Sequence, residues 1–168
     1  MTLGEDFFHR DCLVVAPELV GKILVRRIGT EFIRVRITET EAYRGEEDKA
    51  CHASKGRTPR TELLYGESGI IYIYLIYGMH WLMNVITGEN GTPQGVLIRC
   101  GEDYNGPAKL TKHLQINKSF NGKSFINNPE IWIEDDGFCP EIQTAPRVGI
   151  DYADDEWRLK PWRFIMSK

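Results

Sequence analysis

Hydrophobic and polar residues alternate along residues 31–43, and this period of two predicts a β-strand. Ile33, Val35 and Ile37 share one face of that strand. If the alternation continues, the same face goes on with Glu39, Glu41 and Tyr43. A carboxylate in such a place is either partly removed from water or tied to a partner, and both conditions shift a carboxyl pKa. The strand therefore offers candidate acid–base groups, with a structural ion pair as the alternative for each glutamate.

A second alternating region, residues 70–86, is interrupted by Gly78 and predicts a β-hairpin. Tyr72 and Tyr74 share one strand face, which is common in cross-strand aromatic packing and also suits stacking on a flat ring. Tyr77 lies at the predicted turn, where sheet packing explains a bulky aromatic residue less well. An exposed aromatic side chain at a hairpin tip suits wedging between DNA bases.

The remaining elements complete an α+β pattern. Residues 95–100 predict another strand, residues 107–116 a helix with a proline in its first turn, and residues 44–68 a long loop with some irregular helix. A short helix with Pro17 near its first turn precedes the first strand. We expect a single domain, residues 1–168, on a curved, largely antiparallel β-sheet.

Composition narrows the class of protein. The chain is 42% hydrophobic and 27% charged, which is typical of a globular soluble protein. Its longest apolar stretch, residues 70–86, is too short and too polar for a membrane span. The first residues show no signal peptide, so we expect an intracellular protein with no membrane partner.

The cysteines indicate no metal motif. Cys12, Cys51, Cys100 and Cys139 are far apart in the sequence, so we expect reduced, mostly buried thiols. A metal site is conceivable, but the usual ligand spacing is missing from its candidate ligands, which are Glu39, Glu41, Cys51 and His52.

Charge is strongly segregated, although the net charge is only −3. Residues 49–60 and 106–123 each hold four basic residues and no acid, whereas residues 134–156 hold eight acids and one arginine. Such a surface can bind a polyanion on one face, although charge runs are also common on solvated surfaces. Lys109 falls in the first turn of the predicted helix, where free N–H groups suit a phosphate.

These parts fit one activity better than others. A carboxylate, stacking aromatic residues, an aromatic wedge and basic loops suit an enzyme that flips a base out of duplex DNA. The alternatives are a nucleic-acid binding module in which Glu41 is structural and a metal-dependent hydrolase built around Glu41 and His52.

Longer motifs then identify a family. The chain resembles the alkyladenine (3-methyladenine, methylpurine-type) DNA glycosylases in six segments, which occur in the family's order over nearly the whole chain: TETEAYRGEEDKACHA, YIYLIYGMHWLMNV, GVLIR, GPAKLTKHLQINKSF, APRVGI and KPWRF. The first two blocks are highly specific.

The resemblance implies a base-excision-repair enzyme for double-stranded DNA. It would flip alkylated or deaminated purines of the 3-methyladenine, 7-methylguanine, hypoxanthine and ethenoadenine class. It would then hydrolyse the N-glycosidic bond with activated water and leave an abasic site. The resemblance also implies a monofunctional monomer without metal or organic cofactor, a protruding β-hairpin and no helix-hairpin-helix motif. We expect a bacterial cytoplasm as its location, and a non-catalytic damaged-DNA binding protein as the alternative function.

The resemblance also implies roles in catalysis and base binding. Glu41 would be the general base that activates water, and Arg99 would help to hold that water. The residues that would surround the flipped base are Tyr43, His52, Tyr74 and Asn84.

Further matched positions would contact the DNA. Tyr77 would enter the minor groove and fill the vacated space, with Met79 beside it on the hairpin. Arg57, Thr58 and Lys109 would contact the DNA backbone.

The chain departs from the family pattern in three places. Only six residues separate Arg99 from Gly106, where many relatives carry a longer segment, so some backbone contacts could be missing. His80 stands where a phenol is common, and the loop at residues 52–61 is one residue shorter than in some relatives.

Overall fold

β-Strands dominate the computed structural model, which describes residues 1–168. The strands are β1 (Ile23–Ile28), β2 (Glu31–Arg44), β3 (Ile71–Ile76), β4 (His80–Ile86), β5 (Gln94–Gly101), β6 (Ile131–Glu134), β7 (Ile142–Ala145) and β8 (Arg163–Met166). The helices are α1 (Glu5–Phe8), α2 (Cys12–Leu19), α3 (Pro107–His113) and α4 (Asp155–Arg158). Short 3₁₀ turns span His52–Lys55, Glu62–Tyr65 and Lys118–Phe120. This mixture confirms the predicted α+β class.

All eight strands belong to one sheet, and every strand pair is antiparallel. The order is β3-β4-β5-β2-β1-β6, with β8 beside β2 and β7 beside β8. One edge of β2 pairs first with β1, over residues 31–36, and then with β8, over residues 39–41. The other edge pairs with β5. The sheet is therefore organised around β2.

Helices α1, α2 and α3 cover one face of the sheet and form the main core with it. In the hairpin strands, Ile71, Ile73, Met83 and Val85 point into this core. The residues that alternate with them along the strands, which include Tyr72, point to the opposite face, as predicted.

Irregular segments cover that opposite face. A small cluster there joins Cys51, Ala53, Leu64, Tyr65, Tyr72 and Ile86. A second cluster joins Ala50, Ile150 and Ala153, and Tyr43 packs against both clusters. Because short irregular segments cover a sheet less completely than helices do, a pocket remains between them and the strands.

The alternation of β2 does not continue as predicted. Val35 and Ile37 point into the main core, but beyond them the core positions are Thr40 and Ala42. The pairing of β2 with β5 is irregular between Ile37 and Thr40, which is the signature of a β-bulge. The prediction of one continuous face is therefore wrong, because Glu41 lies on the side of the sheet opposite Val35 and Ile37.

The first long helix also differs from its prediction. α2 begins at Cys12, because the Asp11 carboxylate caps it by accepting a hydrogen bond from the Leu13 amide at 2.9 Å. Pro17 therefore lies inside the helix and not near its first turn. Its missing N–H deprives the Leu13 carbonyl of a helical partner, a loss confined to one bond in a helix of eight residues.

The other predicted elements are confirmed. The strand at residues 95–100 is β5, the helix that starts with a proline is α3, and residues 44–68 contain two 3₁₀ turns. All four cysteines are free, and only Cys139 is exposed. With eight residues, α2 is the longest helix, so none could traverse a bilayer.

Candidate active site

Glu41 is a fully buried carboxylate on the second face of the sheet. Its Oε1 accepts a hydrogen bond from the Tyr43 hydroxyl at 2.9 Å, and its Oε2 accepts one from the Val148 amide at 2.6 Å. Tyr43 lies two residues along the same strand, whereas Val148 lies in the segment between β7 and α4. These two donors offset part of the cost of burial and fix the plane of the carboxylate.

The charge state of Glu41 reflects opposing effects. Burial raises the pKa of this carboxyl above its ordinary value, because water no longer stabilises the charged form. The Val148 amide, the Arg99 and Arg147 cations and the Tyr43 hydroxyl oppose that rise by favouring the carboxylate. Because burial prevails, Glu41 takes up a proton more readily than an exposed glutamate does. A carboxylate of this kind can orient a water molecule and accept its proton.

An aromatic pocket lies beside Glu41, with Tyr43 shared between them. Its empty space is about 290 Å³, part of it open to solvent. The lining residues are Tyr43, Cys51, His52, Leu64, Tyr72, Tyr74, Asn84 and Gly95. The rings of His52 and Tyr74 meet edge to face with centroids 4.5 Å apart, so they form one continuous wall. Flat aromatic walls suit a planar ligand.

His52 is an uncharged member of this wall. Its Nδ1 lies 3.0 Å from the Tyr72 hydroxyl. Burial, aided by the nearby charges of Arg60 and Lys55, lowers the pKa of His52 to about 4. At neutral pH the ring therefore has one nitrogen that donates and one that accepts a hydrogen bond, and it does not repel a cationic ligand.

Asn84 holds a fixed amide in the pocket lining. It is buried on β4, directly opposite Tyr72 in the hairpin register. Its Nδ2 donates to the Tyr72 carbonyl at 3.2 Å, which orients the remaining amide groups.

Arg99 and Glu39 form an ion pair close to Glu41. Arg99 Nε lies 2.8 Å from Glu39 Oε2, although the two groups are not aligned as a hydrogen bond. Arg163 Nη1 lies 3.5 Å from the same oxygen. Because two arginines share Glu39, a structural role for this carboxylate is well supported. Arg99 acts on Glu41 through its charge.

The hairpin tip is exposed and has an unusual backbone. The side chains of Tyr77 and Met79 are 88% and 68% exposed. The Met79 amide donates to the Ile76 carbonyl at 3.1 Å, which closes a tight turn over Tyr77 and Gly78. Both turn residues have positive φ, 51° and 67°. Type I′ turns require this sign, and asparagine and glycine adopt it far more readily than tyrosine does.

The predicted backbone-contacting residues lie in two different settings. Arg57 makes a bidentate ion pair with Glu62, at 2.6 and 2.8 Å. The Thr58 amide donates to Thr61 Oγ1 at 2.8 Å, within the same loop. Lys109 is exposed on α3 and forms no ion pair. Arg57 would have to leave Glu62 before it could bind a phosphate.

Arg60 is a site residue that the sequence analysis missed. It is exposed, forms no ion pair and lines the clefts on both sides of the pocket. Its charge acts on both His52 and Tyr72. The basic run at residues 49–60 was a signal, but nothing in the sequence separates Arg60 from Arg57, because the Arg57–Glu62 ion pair depends on the fold.

A buried ion pair was also missed. Arg147 and Asp48 lie 99 residues apart in the chain and pair behind Glu41. The signals were that Arg147 stands alone among the acids of residues 134–156 and that both residues lie within segments that resemble the family.

The structure does not form the metal site that we considered as an alternative. No group of three or more His, Cys, Asp or Glu side chains is arranged to hold a metal ion. The hypothesis of a metal-dependent hydrolase therefore has no structural support.

Comparison with known proteins decides the family. A profile described as "Methylpurine-DNA glycosylase (MPG)" matches residues 6–104 and 102–168. The chain belongs to the methylpurine-DNA glycosylase family. Members of this family are DNA glycosylases, which act in DNA repair, and the resemblance seen in the sequence is confirmed.

Individual relatives match over nearly their full length. A protein of Desulfitobacterium hafniense (strain Y51), named "Putative 3-methyladenine DNA glycosylase", is 43% identical, with 98% of this chain and 95% of that protein covered. Proteins with the same name from Methanocella arvoryzae and Rickettsia felis are each 41% identical. They cover 96% and 98% of this chain, and the chain covers 90% and 93% of them.

The glycosylase family match also bears on the shortened segment after Arg99. The alignment with the Desulfitobacterium protein spans 193 positions, so that relative has residues that this chain of 168 lacks. The two parts of the family match meet at residues 102–104. In the structure these residues form a tight turn, in which Gly101 and Tyr104 exchange backbone hydrogen bonds. This turn lies where the sequence departed from the family pattern.

The lowered pKa of His52 leads to a prediction about stability. The folded-state pKa of His52, about 4, lies below the ordinary value of 6.5, so the unfolded chain takes up the proton first as the pH falls. The free energy of unfolding is therefore unaffected by the protonation of His52 above pH 6.5 and decreases as the pH falls from 6.5 toward 4. NMR titration of the His52 ring should give a midpoint near 4. The difference in free energy of unfolding between wild type and His52→Gln should change over that same pH interval. A midpoint near 6.5 would show that the ring is not desolvated as the structure has it.

Proposed function

We propose that the protein is a monofunctional DNA glycosylase that excises alkylated or deaminated purines, such as 3-methyladenine and hypoxanthine, from double-stranded DNA. The purine would be turned out of the duplex into the pocket of Tyr43, His52 and Tyr74. Water activated by Glu41 would then break the N-glycosidic bond and leave an abasic site. The observation that carries this proposal is a buried carboxylate with fixed donors, one of which is a tyrosine that lines an aromatic pocket.

The chemistry at Glu41 needs room for one water. A carboxylate has about four acceptor positions, and Tyr43 and Val148 occupy two of them. A water bound at a third could attack C1′ of the deoxyribose while its proton passes to Glu41. The bond between C1′ and the purine nitrogen breaks, and the purine leaves with the electron pair. The carboxylate also stabilises the positive character that develops on the sugar.

The pocket favours lesions that are already good leaving groups. A cationic purine such as 3-methyladenine departs as a neutral molecule without further protonation. The negative faces of Tyr43 and Tyr74 attract such a cation, and the uncharged His52 does not repel it. Neutral lesions such as hypoxanthine need protonation on departure. Damaged bases that pair weakly, whether cationic or neutral, cost less free energy to flip.

Glu41→Gln is the experiment that tests this function. Wild-type protein should excise hypoxanthine or ethenoadenine from a duplex, which alkali treatment reveals as a strand break. The variant keeps the shape of the side chain but cannot accept the proton, so we expect excision at least about 100-fold slower with DNA binding retained.

Glu39→Gln is the matched control, because it makes the same chemical change two residues away on the same strand. It should retain far more activity than Glu41→Gln. If a folded wild-type protein cleaved no lesion but bound damaged DNA, the non-catalytic alternative would replace the enzyme.

The hairpin tip supports a wedge role for Tyr77. A bulky residue with positive φ costs about 1 kcal/mol, and such local strain is concentrated at functional sites. Tyr77→Asn creates the Asn-Gly sequence that type I′ turns prefer. We expect this variant to be as stable as wild type or more so in urea unfolding, yet at least about 10-fold slower on duplex DNA, since it lacks the wedge. An unchanged excision rate would exclude the wedge.

Arg60 and Arg57 should differ in how much each contributes to the salt dependence of DNA binding. We infer that Arg60, which forms no ion pair and lies at the pocket mouth, contacts a phosphate beside the flipped nucleotide. Arg60→Gln should therefore reduce the slope of log K against log salt by about 0.9, the value for one phosphate contact. Arg57→Gln is the control and should change the slope less, because Glu62 already neutralises Arg57. Equal effects of the two substitutions would refute the assignment.

A further inference from the structure

The Asp48–Arg147 ion pair is the most deeply buried charged feature of the protein. Both side chains are completely inaccessible to solvent. The two contacts are bidentate, with Nη1 of Arg147 2.5 Å from Oδ2 and Nη2 2.9 Å from Oδ1 of Asp48. Buried pairs of this kind add little net stability, since desolvation offsets their attraction. A gain in folding stability therefore does not explain why a buried ion pair lies behind Glu41.

The pair joins β2, the loop that follows β2, and α4. Arg147 also donates to the Ala42 carbonyl of β2 at 3.0 Å and to the Trp157 carbonyl of α4 at 3.2 Å. Asp48 accepts from the Arg44 amide and from the Ala50 amide, each at 3.0 Å. It thereby shapes the loop that leads to His52.

Both uncharged donors to Glu41 lie next to Arg147. Val148, whose amide binds Glu41 Oε2, is the next residue in the chain. Tyr43, whose hydroxyl binds Oε1, lies with its ring 4.9 Å from the guanidinium carbon of Arg147. The guanidinium also lies 5.0 Å from the Trp162 ring. A planar, bidentate group can hold both donors in this way, and a flexible ammonium cannot.

The charges around Glu41 are balanced in pairs. The titratable groups that act on it from the surrounding elements are Tyr43 on β2, Tyr74 on β3, Arg99 on β5, Arg147 and Tyr152 between β7 and α4, and Arg163 opposite it on β8. Arg99 and Arg163 are neutralised by Glu39, and Arg147 is neutralised by Asp48. Glu41 therefore faces cations that each have another carboxylate partner.

We propose that the Asp48–Arg147 pair is a positioning device for Glu41: Arg147 fixes the two donors to the carboxylate, and Asp48 masks the Arg147 charge. Neither residue touches the substrate. The proposal rests on the proposed role of Glu41 as the general base. It predicts that the two members of the pair have opposite effects on the protonation of Glu41.

The test is the pH dependence of single-turnover excision of hypoxanthine from a duplex, with enzyme in excess. The acid limb of the pH–rate profile reports the protonation of Glu41. Asp48→Asn unmasks the Arg147 cation, which favours the Glu41 carboxylate, so this limb should move to lower pH. Arg147→Gln unmasks the Asp48 anion, so the acid limb should move to higher pH. Each displacement should be roughly one pH unit, the scale of a unit charge several ångströms away at an effective dielectric constant near 20.

Two further variants separate positioning from folding. Asp136→Asn is the matched control, because it breaks a second bidentate Arg–Asp pair, which lies at the surface with Arg36 and far along the sheet from Glu41. It should leave the acid limb of the pH–rate profile unchanged. Arg147→Lys keeps the charge but loses the planar contacts. It should leave the acid limb in place and reduce the rate about 10-fold or more.

Opposite displacements in the first two variants would support the proposal. A fall in rate with the acid limb unmoved in both would overturn it and leave the pair purely structural. Should both variants fail to fold, Arg147→Lys decides, because a wild-type rate there would show that the donors need no planar anchor. Failure of the proposed function is distinguishable, since wild type would then cleave no lesion, and failure of the role of Glu41 would leave Glu41→Gln active.

Discussion

Removal of the Glu41 carboxylate from water is the constraint on which the rest of the site depends. A buried carboxylate is tolerated only where donors and cations surround it. Here a phenol, a backbone amide and two guanidinium groups meet that need, and they come from three separate parts of the chain. Each cation in turn needs its own counter-charge, which Glu39 and Asp48 provide. One buried acid thus accounts for a network that reaches from β2 to α4.

The aromatic pocket follows from the same strand geometry. Because the bulge turns Glu41 away from the main core, it shares a sheet face with Tyr72 and Asn84 of the hairpin. Regular helices on that face would have filled the space above these residues. Irregular segments that carry His52 and Val148 cover it instead, so the pocket and the acid meet at the least regular part of the fold.

The sequence predicted the parts of the fold that depend on local pattern. Alternation and a glycine sufficed for the β3–β4 hairpin, and a proline marked the start of α3. The side on which Glu41 lies was beyond such reasoning, because the bulge near Glu39 arises from pairing with β5, some 60 residues further along the chain. The same applies to Arg147 and Asp48, whose contact exists only in the folded chain. The site residues themselves came chiefly from family resemblance, since the bare pattern could not separate a catalytic glutamate from an ion-paired one.

The β3–β4 hairpin carries residues for both steps of the proposed reaction, which are displacement of the base and its binding in the pocket. Tyr74 faces the pocket, and Tyr77 stands three residues along the chain at the exposed tip. Three residues of strand span about 10 Å, so pocket wall and wedge are held at nearly constant separation by one short element. Its core-facing side chains, Ile71 and Ile73, anchor that element to the main core. A base displaced by the wedge would therefore meet the pocket at a fixed distance from the hairpin tip. The strain at Tyr77 is borne by an element that is anchored in the main core.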